Sequence, residues 1–306
     1  MVAFTQSDFS KAARQFKAAL ALSPSLWNAQ AFLGICELRL GNIPDGRRLI
    51  EASFPRVGDK ALRSQSGLAL VESYTAASEF ARAFPVLEVL RRSDPTNTDV
   101  LYMGYRVNSE LAAASLRELN TVAPDSVRVH QVLAQNLMAQ EQYAAAVAEY
   151  RKALERAPRL QGLHYELGQA ILAMAPTAEN RESAAKEFRA ELEINPGDPD
   201  SNFKLGEIAY ARSDLNKATE LYLRAIELRP SFGEAEIGLG KVLADSGDET
   251  NAISHLESGI RLRPEDKAAH YRLARLYRGK GRTSDADREL AAFKQLSSRE
   301  RSNSGQ

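Results

Sequence analysis

Histidine is the side chain best suited to acid–base or metal chemistry near neutral pH, and the chain has four. Three of them, His130, His164 and His270, share one register of a repeating pattern. Imidazoles repeated in this way suggest a metal site. Zinc–nitrogen bonds need about 2.0 Å, whereas neighbouring helix axes lie about 8–10 Å apart, so equivalent positions on successive helices do not converge. Packing between successive helices is therefore expected, with no metal ligands, and no special role is expected for His255. GLGK (Gly238–Lys241) superficially suggests a phosphate loop, but it lacks a preceding strand and the rest of either glycine-rich fingerprint. Gly240 is explained as a small packing residue. Carboxylates alternate with Lys and Arg, as in Arg151–Pro158, which is the pattern of solvated helix pairs. No GxSxG, HExxH or Cys–His arrangement is present. The single cysteine, Cys36, excludes an internal disulfide and a cysteine-based zinc cage. Its apolar helical surroundings predict a buried, inert thiol. No catalytic residue, cofactor or enzymatic activity is expected.

These residues are carried by a repeat. NFKLGEIAYARSDLNKATELYLRAIELRP (Asn202–Pro230) and EIGLGKVLADSGDETNAISHLESGIRLRP (Glu236–Pro264) align at a shift of 34. Leu205-Gly206 falls on Leu239-Gly240, Ala218 on Ala252, Ile226 on Ile260, and Leu228-Arg229-Pro230 on Leu262-Arg263-Pro264. A fixed period of this length marks an array of helix pairs. The composition agrees: aromatic residues are only 7%, and Ala, Leu, Glu and Arg are plentiful. Lys plus Arg equals Asp plus Glu at 40 each, so no global field draws the chain to nucleic acid or an anionic membrane. No apolar run approaches the ~20 residues of a membrane span, and no signal peptide is visible. A soluble protein is expected, cytoplasmic by default, or exported if an upstream signal peptide was removed.

The array is expected to cover 1–298. It begins with a half repeat at 8–24, whose covering first helix is missing, followed by 27–54. The segment 59–95 is degenerate: it lacks the Leu-Gly pair, and Pro85 should kink its second helix or delay its start. The segment 98–124 is shortened. Met103-Gly104 matches the Leu-Gly pair, and Ala112, Leu116 and Leu119 match a second helix, but no turn signal separates them. One long helix, bent or not, or two helices with a very tight turn would satisfy Thr98–Val122. Regular repeats follow at 127–158, 161–196, 199–230, 233–264 and 267–298. The repeat at 161–196 is expected to match at Ala184, Phe188 and Leu192, with four extra residues in a turn containing Pro176. A polar, disordered tail is expected at 299–306. Local stability in such an array follows local repeat quality, so the N-terminal half should open more easily.

The combination of Leu-Gly or Leu-Ala, then Tyr or Leu, Ala, an aromatic or Leu, and a closing Pro resembles the tetratricopeptide repeat (TPR) family over almost the whole chain. The resemblance implies an all-α solenoid of antiparallel helix pairs, a right-handed superhelix whose first helices line a concave groove. It also implies a scaffold that binds a peptide or protein partner there. Two rival readings are an accessory module cut from a larger enzyme or secretion assembly and, less favoured, an RNA-binding helical repeat. Some members of the family grip acidic chaperone C-termini with Asn and Lys in consecutive first helices. Here those places hold Phe203, Lys204 and Glu207, then Ile237, Gly238 and Lys241, so that clamp is not expected.

First-helix residues one turn apart define the expected groove. From the N-terminal side these are Tyr102, Tyr105, Gln131, Gln135, Tyr165 and Gln169, with Phe32, Leu101, Asn108 and Arg128 near them. Phe203, Lys204, Glu207, Tyr210 and Lys241 continue it. Tyr271 and the stripe Arg272, Arg275 and Arg278 close it, and the stripe could hold an acidic segment or a carboxylate. Tyr165, Phe203, Ile237 and Tyr271 share a register, which could serve either peptide recognition or packing between repeats.

Overall fold

The computed structural model describes residues 1–175 and 177–303, with side chains as far as Glu300. Among the described residues all regular structure is helical. Local signals start and stop the helices. The Asp214 side chain accepts the Lys217 N–H at 3.1 Å, while its own N–H donates to the Ala209 carbonyl at 3.0 Å. One residue thus closes one helix and caps the next. Ser213, just ahead of it, has a φ of 61°; Ser7, Gly41, Ser78, Glu141, Gly247 and Gly281 take positive φ at the matching turns. Gly247 and Gly281 reach that conformation without a Cβ penalty.

The chain forms two compact units, Met1–Val122 and Ala123–Gln306. The first contains α1 (Val2–Thr5), α2 (Phe9–Leu22), α3 (Trp27–Arg39), α4 (Ile43–Ser53), α5 (Lys60–Ala76), α6 (Phe80–Ser93) and α7 (Thr98–Val122), with a 3₁₀ turn at Phe54–Arg56. The expected gap ahead of α2 is partly filled. The single turn α1 packs Phe4 edge-on against Phe9, Phe16 and Phe32. α6 starts at Phe80 and runs through Pro85, so the proline does not delay it. What proline removes there is its own N–H, the donor for the Ala81 carbonyl. The degenerate repeat does keep a small residue. A Cβ on Gly67 would lie 2.7 Å from the Phe54 ring and 2.8 Å from Leu90.

Of the two options for Thr98–Val122, the structure takes the single helix, 25 residues long. Its buried residues, Val100, Met103 and Val107, all lie in its first half. No Pro and no Asn-Asp turn interrupts its middle, so the helical hydrogen-bond ladder continues where a hairpin would need to open.

The second unit pairs α8 (Val127–Ala139) with α9 (Tyr143–Arg156), α10 (Leu163–Met174) with α11 (Ala178–Ile194), and α12 (Pro199–Ala211) with α13 (Leu215–Leu228). α14 (Gly233–Asp245) with α15 (Glu249–Leu262), and α16 (Lys267–Gly279) with α17 (Thr283–Asn303), complete it. Small residues of first helices receive large residues of second helices. A Cβ on Gly168 would sit 2.6 Å from the Phe188 ring, one on Gly206 2.8 Å from Tyr222, and one on Gly240 2.7 Å from Leu256. The Tyr222 ring is also 2.8 Å from a Cβ built on Gly238 of the next repeat, so one ring serves two interfaces.

Two expectations change here. In α11 the position flush with Ala153 and Ala225 is held by Glu191, not Leu192. Glu191 is buried and accepts the Gly162 N–H at 2.7 Å, capping α10 from outside its own sequence. The tail expected to be disordered from 299 continues α17 through Asn303, while 304–306, like the turn residue Pro176, lie outside the described residues.

Candidate functional site

The histidines bind carboxylates within their own repeats. His130 Nδ1 is 2.6 Å from Glu149 Oε2, His164 Nδ1 is 2.7 Å from Glu187 Oε2, and His270 Nδ1 is 2.7 Å from Glu289 Oε2. Each clasp ties a first helix to its second helix. In α14 and α15 the same two positions are exchanged: Glu236 is on the first helix and His255 on the second, 2.6 Å apart. The α12–α13 pair has Asn202 and Leu221 there and no clasp. The second ring nitrogen is also occupied, by the Pro158 carbonyl for His164, the Pro264 carbonyl for His270 and Asp125 for His130. Burial raises the Glu149 pKa, but hydrogen bonds from Lys152 and His130 and their charges bring it net below the usual range. The expected packing between successive helices is thus corrected to a bond within the histidine's own repeat, and His255 does have a role. The signal was present as a His–Glu spacing of 19, stretched to 23 by the inserted turn. Among the described residues no three His, Cys, Asp or Glu side chains are grouped to hold a metal ion.

Several expected groove residues are engaged with one another. Gln131 and Gln135 on α8 donate to the two carboxylate oxygens of Glu166 on α10, at 3.0 and 2.9 Å. Gln169 donates to the Tyr165 hydroxyl at 2.8 Å. Lys204 bonds Glu207 at 2.8 Å and lies over the Phe203 ring. The shared aromatic register shows graded burial. Ile237 is buried. Phe203 is half-buried between Tyr222 and Phe232, with centroids 5.8 and 4.9 Å away. Tyr165 is half-buried against Phe188, and burial, with Asp200 and Asp198 adding, pushes its phenol up to about 12. Tyr271 is 46% exposed and 5.3 Å from Phe293.

The open part of this face is a cavity of about 530 Å³ at α12, α14, α16 and α17. Tyr210, Lys241, Lys267, Tyr271, Arg272, Arg275 and Phe293 line it. Asp245 at its edge accepts Tyr210 at 2.5 Å and Arg272 at 2.6 Å. Burial raises the Asp245 pKa, yet those hydrogen bonds and the charges of Arg272 and Arg275 bring it net below the usual range. The arginine stripe is therefore divided: Arg272 is neutralised, Arg278 lies 3.7 Å from Asp287, and Arg275 faces the cavity.

Tyr102 and Tyr105 belong to α7 in the first unit, 60% and 71% exposed. Phe32 is committed to packing, stacked on Phe16 at 5.4 Å. A second cavity, about 870 Å³, lies within the first unit against α1, α3 and α5. Its walls include Phe4, Phe32, Leu68, Arg39 and Glu72; apart from Phe32, sequence reasoning missed these residues, because the degenerate repeat hid the first-helix register. Cys36 is fully buried, and burial together with the Glu37 charge pushes its thiol up to about 11.

Models described as tetratricopeptide repeat match residues 1–54, 127–160, 177–231 and 243–294. No curated protein matches the sequence. Among solved structures, the MamA RS-1 ArsTM double mutant aligns at 15% identity over 60% of this chain and 98% of its own, with a TM-score of 0.51. MamA 41-end from Desulfovibrio magneticus RS-1 aligns at 14% identity over 56% of this chain and 96% of its own, with a TM-score of 0.50. YrrB, described as a TPR protein with an unusual peptide-binding site, aligns at 21% identity over 59% of this chain and 91% of its own, with a TM-score of 0.48. The two MamA structures share the helical-repeat fold with this chain.

Proposed function

This chain belongs to the tetratricopeptide repeat family, and on that premise we propose that it is a non-enzymatic scaffold binding a peptide or protein segment along the first helices of its second unit. The observation carrying this reading is the cavity walled by Tyr210, Tyr271 and Phe293, with Lys241 and Arg275 beside the rings. Aromatic rings offer large contact area at low entropic cost, and the two cations suit an acidic stretch of the bound segment. Gln131, Gln135, Tyr165, Gln169, Phe203, Lys204, Glu207, Arg272 and Arg278 extend the binding face, their present contacts giving way where the partner requires it. Tyr102 and Tyr105 are exposed on the first unit.

The groups best suited to chemistry have structural employment. The four histidines are clasped to carboxylates, and the Cys36 thiol is buried and protonated. Zero net charge argues for neither nucleic acid nor membrane as partner. Among the described residues no helix is long and apolar enough to cross a membrane.

The test uses the full chain to capture a partner from the native organism, then compares two variants. Covering an exposed aromatic ring is worth ~1.5–3 kcal/mol, so Tyr271→Ala should weaken binding roughly ten- to hundredfold at unchanged melting temperature. Phe203→Ala should instead lower stability by ~3–5 kcal/mol, because its ring is packed between Tyr222 and Phe232. A partner indifferent to Tyr271→Ala would sink the proposal. So would steeply salt-dependent binding of an RNA oligonucleotide that displaces that partner.

A further inference from the structure

We infer that the chain forms a two-fold dimer through α7, in which the second half of each α7 occupies the second-helix berth beside Gly104 of the other copy. This stands apart from the partner-binding reading above and concerns only the first unit.

The repeats themselves define a vacancy. The small first-helix glycines Gly34, Gly168, Gly206 and Gly240 each meet a large side chain of their own second helix: Ile50, Phe188, Tyr222 and Leu256. A Cβ on Gly104 would meet nothing within 4 Å. Leu101 and Tyr105 beside it are 47% and 71% exposed. A cavity of about 90 Å³ opens next to it against α6, where Phe84 is 40% exposed. An open berth thus stands where every comparable glycine is covered.

The chain also carries the helix that would fill the berth. Ala112, Leu116 and Leu119 follow the second-helix pattern, with Ala112 matching Ala218 and Ala252. From Gly206 to Ala218, and from Gly240 to Ala252, is 12 residues, whereas Gly104 to Ala112 is 8. The missing residues are those of the turn. Without them the backbone does not reverse, and α7 continues as one helix for 25 residues. Gly104 and Leu116 then lie about 18 Å apart along one helix, at 1.5 Å per residue. The second half can reach a Gly104 berth only on another copy. Shortening a hinge loop is a known route to exchange of identical elements between protomers.

The register closes on itself. By the pattern of Gly206 with Tyr222 and Gly240 with Leu256, the residue for the Gly104 berth is Leu116. If Leu116 of each copy covers Gly104 of the other, two antiparallel α7 helices cross at Glu110, and both contacts form together. Leu101, Tyr105, Asn108, Ala112, Leu116 and Leu119 fall at helical three- and four-residue spacing, so they line one face of α7. Ala112 is small where the helices cross closely, opposite Asn108. Such a face is self-complementary, as a two-fold interface requires.

Sedimentation equilibrium of the full chain should show twice the chain mass, dissociating on dilution. Leu116→Glu should raise the dimer dissociation constant at least tenfold without lowering helical content, because Leu116 is only half-buried. Inserting four turn residues after Asn108 restores the repeat length. It should convert the dimer to a monomer with the hairpin closed on itself. A Cys36→Ser chain carrying Gly104→Cys and Leu116→Cys should oxidise to a covalent dimer, since the two sites cannot meet within one helix. A monomer at all concentrations would overturn the inference. So would a dimer unaffected by both Leu116→Glu and the insertion, or failure of the two cysteines to cross-link.

Discussion

Gly206 in the second unit and Gly104 in the first hold the same repeat position and have opposite surroundings. Gly206 faces the Tyr222 ring, and Gly104 faces open space. The two units differ in the same way in their polar ties. The second unit closes four of its helix hairpins with a histidine–glutamate clasp, one of them built with its ends exchanged, and only α12–α13 lacks it. In the first unit an arginine ties one helix pair to the next. Arg47 on α4 donates to the Ser73 hydroxyl and carbonyl, both at 2.6 Å, and to Glu79 at 2.7 Å; Arg47 and Arg82 both lie over the Tyr74 ring. A repeat is therefore a position for a contact, and the contact exists only where the chain supplies both halves and a turn to bring them together.

The packing difference between the units should show most strongly in the core. Phe188 is fully buried against the Gly168 face. Phe188→Ala should cost ~3–5 kcal/mol in denaturant unfolding of the second unit. Val122→Ala, at an α7 residue 78% exposed, should stay within about 0.5 kcal/mol. Equal losses would show that α7 is packed as tightly as the regular repeats.

The clasp gives the next largest effect. His270 and Glu289 are both buried. Removing either partner should cost ~1–3 kcal/mol, because the other is left buried without its bond. The double exchange His270→Glu with Glu289→His should recover most of that loss, since Glu236 and His255 already form the exchanged version. A double-mutant cycle with no coupling would reduce the clasps to incidental contacts.

The two glycines should then respond with opposite signs. Gly206→Ala places a Cβ 2.8 Å from the Tyr222 ring and should destabilise by ~1–3 kcal/mol. Gly104→Ala meets nothing and removes a mid-helix glycine, so it should stabilise by ~0.5–1 kcal/mol. Thermal melting of both variants decides it, and a shared sign would contradict the packing difference.

The smallest effect is electrostatic. Asp245 has a pKa held below its ordinary value in the folded chain. Its stabilising contribution is present above the unfolded carboxylate pKa of ~3.9 and is lost as pH falls through the lower folded value. Asp245→Asn should therefore flatten the decline of melting temperature between about pH 5 and 3. The change will be modest because the side chain is partly solvated. An unchanged slope would mean that the Tyr210 and Arg272 bonds to Asp245 do not persist in solution.

Much of this molecule was legible from local patterns. The period of 34, the closing prolines and the small first-helix residues specified the helix pairs, because helix periodicity, caps and breakers act over a few residues. The absence of a turn signal in Thr98–Val122 marked the break in regular pairing, but left a long helix and a tight hairpin both open until the structure chose the helix. The degenerate repeat misled where Ser66 replaced the leucine before Gly67, since the packing role stayed with the glycine while the recognisable pair was lost. Glu191 was missed because an alanine position gives no notice that a buried carboxylate can cap a neighbouring helix.

What the sequence alone determined was where helices begin, where they end and which faces are apolar. Only the tertiary structure decided which partners those faces meet. It set His270 on Glu289, neutralised Arg272 with Asp245 while leaving Arg275 on the cavity, covered Phe203 with Phe232, and left Gly104 bare. The physical reason is range. Helix-forming interactions join residues three or four apart, whereas these contacts join residues about 20 to 30 apart, whose distances exist only once helices have stacked.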